Sequence, residues 1–193
     1  MITDLPTPFP SRYGLPIIHR VDTSIFEKRY ATFCLACKFC NDMCCSYGVD
    51  VDLWHRDAIM KHADALEAYS GVDRAMWFES NMIHDDEMPG GGSVRTQVKG
   101  RGCVFLEPNG RGCQIHSFCD AMGLDYHDLK SIVDCLFPLT VTDGVLCPAD
   151  EVDDLTLVCV GAGPTLFEGL RGELEYYFGE GVTDMLARMA TAL

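Results

Sequence analysis

Positive charge is scarce in this sequence. Lys and Arg together number 15 against 29 Asp and Glu, a net charge of −14. So acidic a chain repels phosphate backbones, and no basic patch interrupts the acidity, which argues against a nucleic-acid partner. Long hydrophobic runs are also missing: no stretch approaches the ~18 apolar residues that a membrane span requires, so no membrane partner is expected. Met1-Ile2-Thr3-Asp4-Leu5-Pro6 has no basic segment leading into an apolar one, so no secretory signal is expected and the cytoplasm is the expected compartment. The glycine-rich stretches are incomplete as nucleotide fingerprints. Pro89-Gly90-Gly91-Gly92-Ser93 lacks the Lys-Ser/Thr ending of a phosphate loop, and Gly161-x-Gly163 lacks the third glycine of a dinucleotide turn.

Cysteine is abundant, at 11 residues in 193. Five of them stand in the twelve residues from Cys34 to Cys45, as Cys34, Cys37, Cys40, Cys44 and Cys45. Buried cysteines acting as small hydrophobes are scattered and do not crowd in this way. Two-residue spacing lets a tight turn aim two sulfurs at one ion, so the run points to metal or cluster binding. An odd total argues against a complete disulfide framework, and reduced thiols are the rule in the expected compartment.

The remaining sequence predicts a single domain over 1–193 of the α+β class: a small antiparallel sheet with flanking helices and a cysteine-rich metal-binding lobe. Its cysteine-cluster core spans about 34–140, and a helical tail covers 165–193. Residues 1–16, with Pro6, Pro8, Pro10 and Pro16, read as an irregular arm. Ile17 to Val21 reads as a strand, and Asp22-Thr23-Ser24 caps a short helix to Tyr30. Apolar spacing predicts one helix over Leu53–Tyr69, with His55 exposed on it, and a shorter one from Val72 to about Asn81, with Trp77 and Phe78 as core anchors. His84-Asp85-Asp86-Glu87 reads as a solvated loop. Strands are expected at Val94–Val98, Cys103–Leu106 and Leu155–Val160, and a helix over Tyr126–Cys135. A hairpin is expected around Asp143-Gly144, and Gly161-Ala162-Gly163-Pro164 reads as a break before the tail.

Beyond the dense run, Cys103-Val-Phe-Leu106, Gly112-Cys113-Gln-Ile-His116 and Asp134-Cys135-Leu-Phe-Pro138 follow. Together these motifs resemble the YkgJ-like cysteine-cluster family, also described as the CxxCxxCC or zinc/iron-chelating domain. The resemblance covers about residues 34–140. It implies metal chelation through Cys37, Cys40, Cys44, Cys45, Cys103, Cys113 and Cys135, with an iron–sulfur cluster, iron or zinc as the occupant. His116 stands where the family often has Tyr, and Ser117-Phe118-Cys119 replaces the segment that follows. Cys34 and Cys119 are additional to the family pattern and, with His116, are candidate extra ligands. In some relatives the module accompanies a methylase of flagellin lysines.

One tetrahedral zinc site or one [4Fe–4S] cluster takes four ligands, so seven thiols leave three arrangements: one site with spare thiols, two sites, or one polynuclear centre. Soft thiolates accept both zinc and iron, so spacing does not choose between them. The leading function is a metal-binding protein. The alternatives are an iron-dependent oxidoreductase or modification enzyme acting on a small molecule or protein side chain, with His116 or His127 supplying a nitrogen ligand or a proton, and a structural zinc protein or metal carrier. The sequence does not fix the roles of Cys147 and Cys159 or the oligomeric state.

Overall fold

The computed structural model of the protein describes residues 1–32, 39–40, 42–109, 111–153 and 157–192. The class is α+β, with several small sheets and six α-helices among these residues. Two compact units form: one from Met1–Phe33 and Leu136–Leu193, the other from the continuous stretch Cys34–Cys135. Among the described residues there are four small sheets instead of one antiparallel sheet, two in each unit.

In the discontinuous unit, four strands stand in the order Ile2–Pro10, Ile17–Asp22, Val145–Pro148, Leu139–Thr142. Val145 and Leu146 pair with Arg20 and Val21 in parallel, while the other pairings are antiparallel. The arm expected over residues 1–16 is therefore an edge strand through Pro10. Its register breaks between Asp4 and Phe9, where Pro6 and Pro8 have no N–H to donate, and an edge position tolerates that loss. The hairpin forms as its Asp-Gly pair demands. Asp143 and Gly144 both have positive φ, 50° and 68°, the geometry of a turn whose twist suits the flanking strands.

The helix expected after Asp22 is a single 3₁₀ turn, Thr23–Phe26, capped by the Asp22 carboxylate on Ser24 N–H; Arg29–Tyr30 then pairs with Val160–Thr165. Gly161 and Gly163 thus lie inside a strand, which accommodates them through a register shift between Val160 and Thr165. The expected strand start, Leu155, lies outside the described residues. Helices Leu166–Phe178 and Glu180–Ala192 complete this unit. The first is held by a reciprocal capping box between Thr165 and Glu168.

In the continuous unit, Gly92–Thr96 lies between Asp50–Asp52 and Phe78–His84 in an antiparallel sheet. The helix expected after Val72 is only a 3₁₀ turn, Arg74–Met76, followed by that Phe78–His84 strand. The long helix divides at His62 into Leu53–Lys61 and Ala63–Ser70. Trp77 is fully buried; its indole N–H donates to the Val72 carbonyl at 2.9 Å, and its ring packs on Phe105. Ile59, Leu66, Phe118 and Leu129 pack in the same core.

Candidate metal centre

The cysteine run enters the described structure at Phe39, with Asn41 outside it; Cys34 and Cys37 lie outside the described residues. Cys40 is buried. A single 3₁₀ helix, Met43–Tyr47, carries both Cys44 and Cys45, each half-buried. At three residues per turn, neighbouring side chains leave the backbone about 120° apart, so the two thiols diverge. Strand Gly102–Cys103 packs against this helix. The approach is close enough that a Cβ on Gly102 would stand 2.8 Å from the Cys45 carbonyl oxygen. Gly102→Ala is expected to push this contact apart and cost about 2 kcal/mol, read by urea unfolding. Wild-type stability would show that the contact is not tight.

Arg111 ties down the described part of the run at Cys40 and Asp42. Its Nε donates to both carboxylate oxygens of Asp42, at 3.0 and 2.8 Å, and its Nη2 reaches Cys40 Sγ at 3.0 Å. Asp42 is buried and holds the left-handed conformation at φ 56°. Hydrogen bonding to Asp42 raises the pKa of the guanidinium, and Cys40 adds to the effect. One cation thereby faces both a carboxylate and a sulfur, a suitable neighbour for a thiolate-rich site.

Three later cysteines come from three further segments. Cys103, half-buried, points its thiol at Thr96 Oγ1 at 3.3 Å, and burial pushes its pKa up. Cys113 pairs with Leu106 in an isolated bridge and precedes helix Gln114–Met122; burial pushes its thiol to about 12, with the Asp134 carboxylate adding to the rise. Cys135 is buried in the short helix Ile132–Leu136. Cys113 lies within electrostatic reach of Cys103 and Lys130, and Lys130 within reach of Cys135. Lys130 pairs with Asp134 at 3.2 Å. Burial works against its ammonium, but Asp134, Cys135 and Cys113 outweigh burial and raise its pKa.

The additional candidates have other surroundings. Cys119 is fully buried in the apolar core, on a helix the sequence reading missed. Ile115, Phe118 and Cys119 stand at positions i, i+3 and i+4 of Gln114–Met122, a periodicity hidden by reading Cys119 as a ligand. His116 and His127 both stack on Tyr126, with ring centroids 4.4 and 3.9 Å away. His116 faces Asp120 at 3.8 Å, and burial lowers its pKa, with Lys130 adding to the effect. His127 Nδ1 lies 2.6 Å from Asp125, whose carboxylate also caps the local turn. His84 ends the strand Phe78–His84, and Asp85 to Glu87 form the turn that follows it. Cys147 and Cys159 belong to the discontinuous unit.

His55 is a correction. Expected on an exposed helix face, it is fully buried. Its Nδ1 lies 2.6 Å from Asp52 Oδ2, and its Nε2 lies 3.2 Å from the His127 carbonyl. Asp52 is fully buried too, and its other oxygen accepts the His55 backbone N–H as the cap of Leu53–Lys61. The i, i+3 spacing of Asp52 and His55 across a helix start was the available signal.

No disulfide joins the nine described cysteines to one another. Among the described residues, no three His, Cys, Asp or Glu side chains come together as a metal-binding group. The chain matches no protein-family model, no curated protein and no solved structure. The YkgJ-like resemblance therefore rests on the motifs quoted above.

Proposed function

We propose that the Cys34–Cys135 unit is a metal-binding module that holds iron, an iron–sulfur cluster or zinc through thiolates. The proposed set is that of the YkgJ-like pattern: Cys37, Cys40, Cys44, Cys45, Cys103, Cys113 and Cys135. What supports this reading is that the sequence-distant thiols of the motif fall within one unit, although no three described donors meet there as a metal-binding group. Cys103, Cys113 and Cys135 form a linked electrostatic group around Lys130 and Asp134, and the helix bearing Cys44 and Cys45 packs on the strand that ends in Cys103. The donor set fits a soft ion, since thiols outnumber imidazoles and carboxylates around it. Lys130 and Arg111 place cations beside the thiols, each shared with a carboxylate, Asp134 and Asp42.

When bound, an iron centre would supply electron transfer or an open coordination position, whereas a closed zinc site would supply folding energy. The chain's own residues hold the ion and balance its charge. The enzyme reading has one observation in its favour: a cavity of about 490 Å³ has Cys103 in its wall.

The test is anaerobic purification followed by elemental analysis and a visible spectrum. Sulfur-to-iron charge-transfer absorption with stoichiometric iron supports the cluster, and a colourless protein with stoichiometric zinc supports the closed clamp. A chain that carries neither metal, and takes up neither on reconstitution under reducing conditions, overturns the proposal.

A further inference from the structure

The cavity that meets Cys103 has a charge pattern at odds with the rest of the chain. It lies wholly within the Cys34–Cys135 unit. Val72, Met76, Leu106 and Pro108 give it an apolar lining, and Lys99 and Arg101 stand at its wall. In a protein where acids outnumber these cations almost two to one, this pocket has two cations and a single carboxylate, Asp73. Asp73 is already engaged, accepting the Ala75 N–H at 2.9 Å as the cap of Arg74–Met76. Among the described residues, neither Lys99 nor Arg101 forms an ion pair.

Local structure explains the placement. Val98–Lys99 and Gly102–Cys103 form a two-stranded ribbon, with Lys99 opposite Gly102 and Arg101 in the turn between the strands. The Arg101 Nη2 donates to the Glu107 carbonyl at 2.8 Å, which steadies the guanidinium without neutralising it. The volume lies within the ~300–1,000 Å³ usual for small-molecule sites, and an apolar cleft with a few convergent polar groups is the usual make-up of such sites. A guanidinium and an ammonium together favour a carboxylate over a neutral group.

We propose that this cavity binds a small amphipathic organic carboxylate, with its acid group between Lys99 and Arg101 and its apolar body on Val72, Met76 and Leu106, next to Cys103. The site does not depend on the thiolate proposal, because neither cation is a metal ligand. A carboxylate bound there lies beside Cys103, a residue of the proposed metal set, which would make it a candidate substrate for the enzyme reading.

The probe is octanoate, with octanamide as its neutral counterpart, titrated into the full-length protein and followed by amide chemical shifts. Octanoate is expected to bind at least about tenfold more tightly than octanamide, a difference of ~1.4 kcal/mol. Shifts are expected to centre on Val72, Met76 and Leu106. The Lys99→Glu/Arg101→Glu double variant is expected to lose that preference while keeping wild-type metal content. Arg188→Glu, a single charge reversal on the C-terminal helix, is expected to leave binding unchanged. Equal binding of acid and amide, shifts centred elsewhere, or full binding by the double variant would each overturn the assignment. Loss of metal from wild type with octanoate binding intact would count against the thiolate proposal alone.

Discussion

Cys113→Ser is expected to strip metal from the chain, whereas Cys119→Ser is expected to leave metal content near wild type. The two residues are six positions apart and differ in surroundings. Cys113 is half-buried at the start of its helix, facing the charged group of Asp134 and Lys130, with Cys103 within reach. Cys119 is fully buried among Ile115, Phe118 and Leu129, where its sulfur serves as a small apolar filler. Burial pushes both thiols up, to about 12 at Cys113 and about 11 at Cys119, so what separates the two is the apolar packing around Cys119. Loss of one thiolate ligand should weaken metal binding by at least about 100-fold. A serine hydroxyl in place of Cys119 should instead cost about 1–3 kcal/mol of stability by burying a polar group among apolar side chains. Metal stoichiometry and urea unfolding on both variants separate the outcomes. Equal metal loss would make Cys119 a full ligand and undo the family alignment.

Asp52→Ala should cause the largest loss of stability, about 4 kcal/mol. Two costs combine. The helix Leu53–Lys61 loses its cap, worth ~1 kcal/mol. His55, fully buried, loses the carboxylate facing its Nδ1, and leaving one member of a buried pair alone typically costs about 3–5 kcal/mol. The two costs overlap because one side chain serves both, so their sum is an upper bound. In a chain of this length the loss corresponds to a fall in melting temperature of roughly 8–16 °C. Asp52→Asn should fall between wild type and Asp52→Ala, because its side-chain oxygen still caps the helix. A melting curve for Asp52→Ala within a degree or two of wild type would show that the pair contributes little.

The contrast between these sites shows what the chain displays openly and what it hides. The Asp143-Gly144 hairpin, the Thr165 cap and the burial of Trp77 follow from local chemistry: a turn that requires positive φ, a hydroxyl three residues before Glu168, and the largest apolar ring in its segment. Local chemistry also gave the α+β class. The edge strand through Pro10 was hidden because proline argues against strands except where no partner lies on one side, and which strand is at the edge is decided by pairing with Ile17–Asp22. The strand Phe78–His84 was hidden for a related reason. Six of its seven residues are exposed polar or apolar side chains without clean alternation, so only pairing with Gly92–Thr96 defines it. At the candidate site, the cysteine motifs were visible, but their neighbours were not. Arg111, Lys130 and Asp134 are ordinary surface residue types, and only the fold brings them beside sulfur.

The discontinuous unit has a consequence for biosynthesis. Its sheet needs Ile17–Asp22 from the early chain and Val145–Pro148 from the late chain as direct neighbours, with the whole Cys34–Cys135 stretch between them. On the ribosome, the intervening stretch is complete before the late strand exists, so the middle unit gathers first and the early strand waits with an unpaired edge.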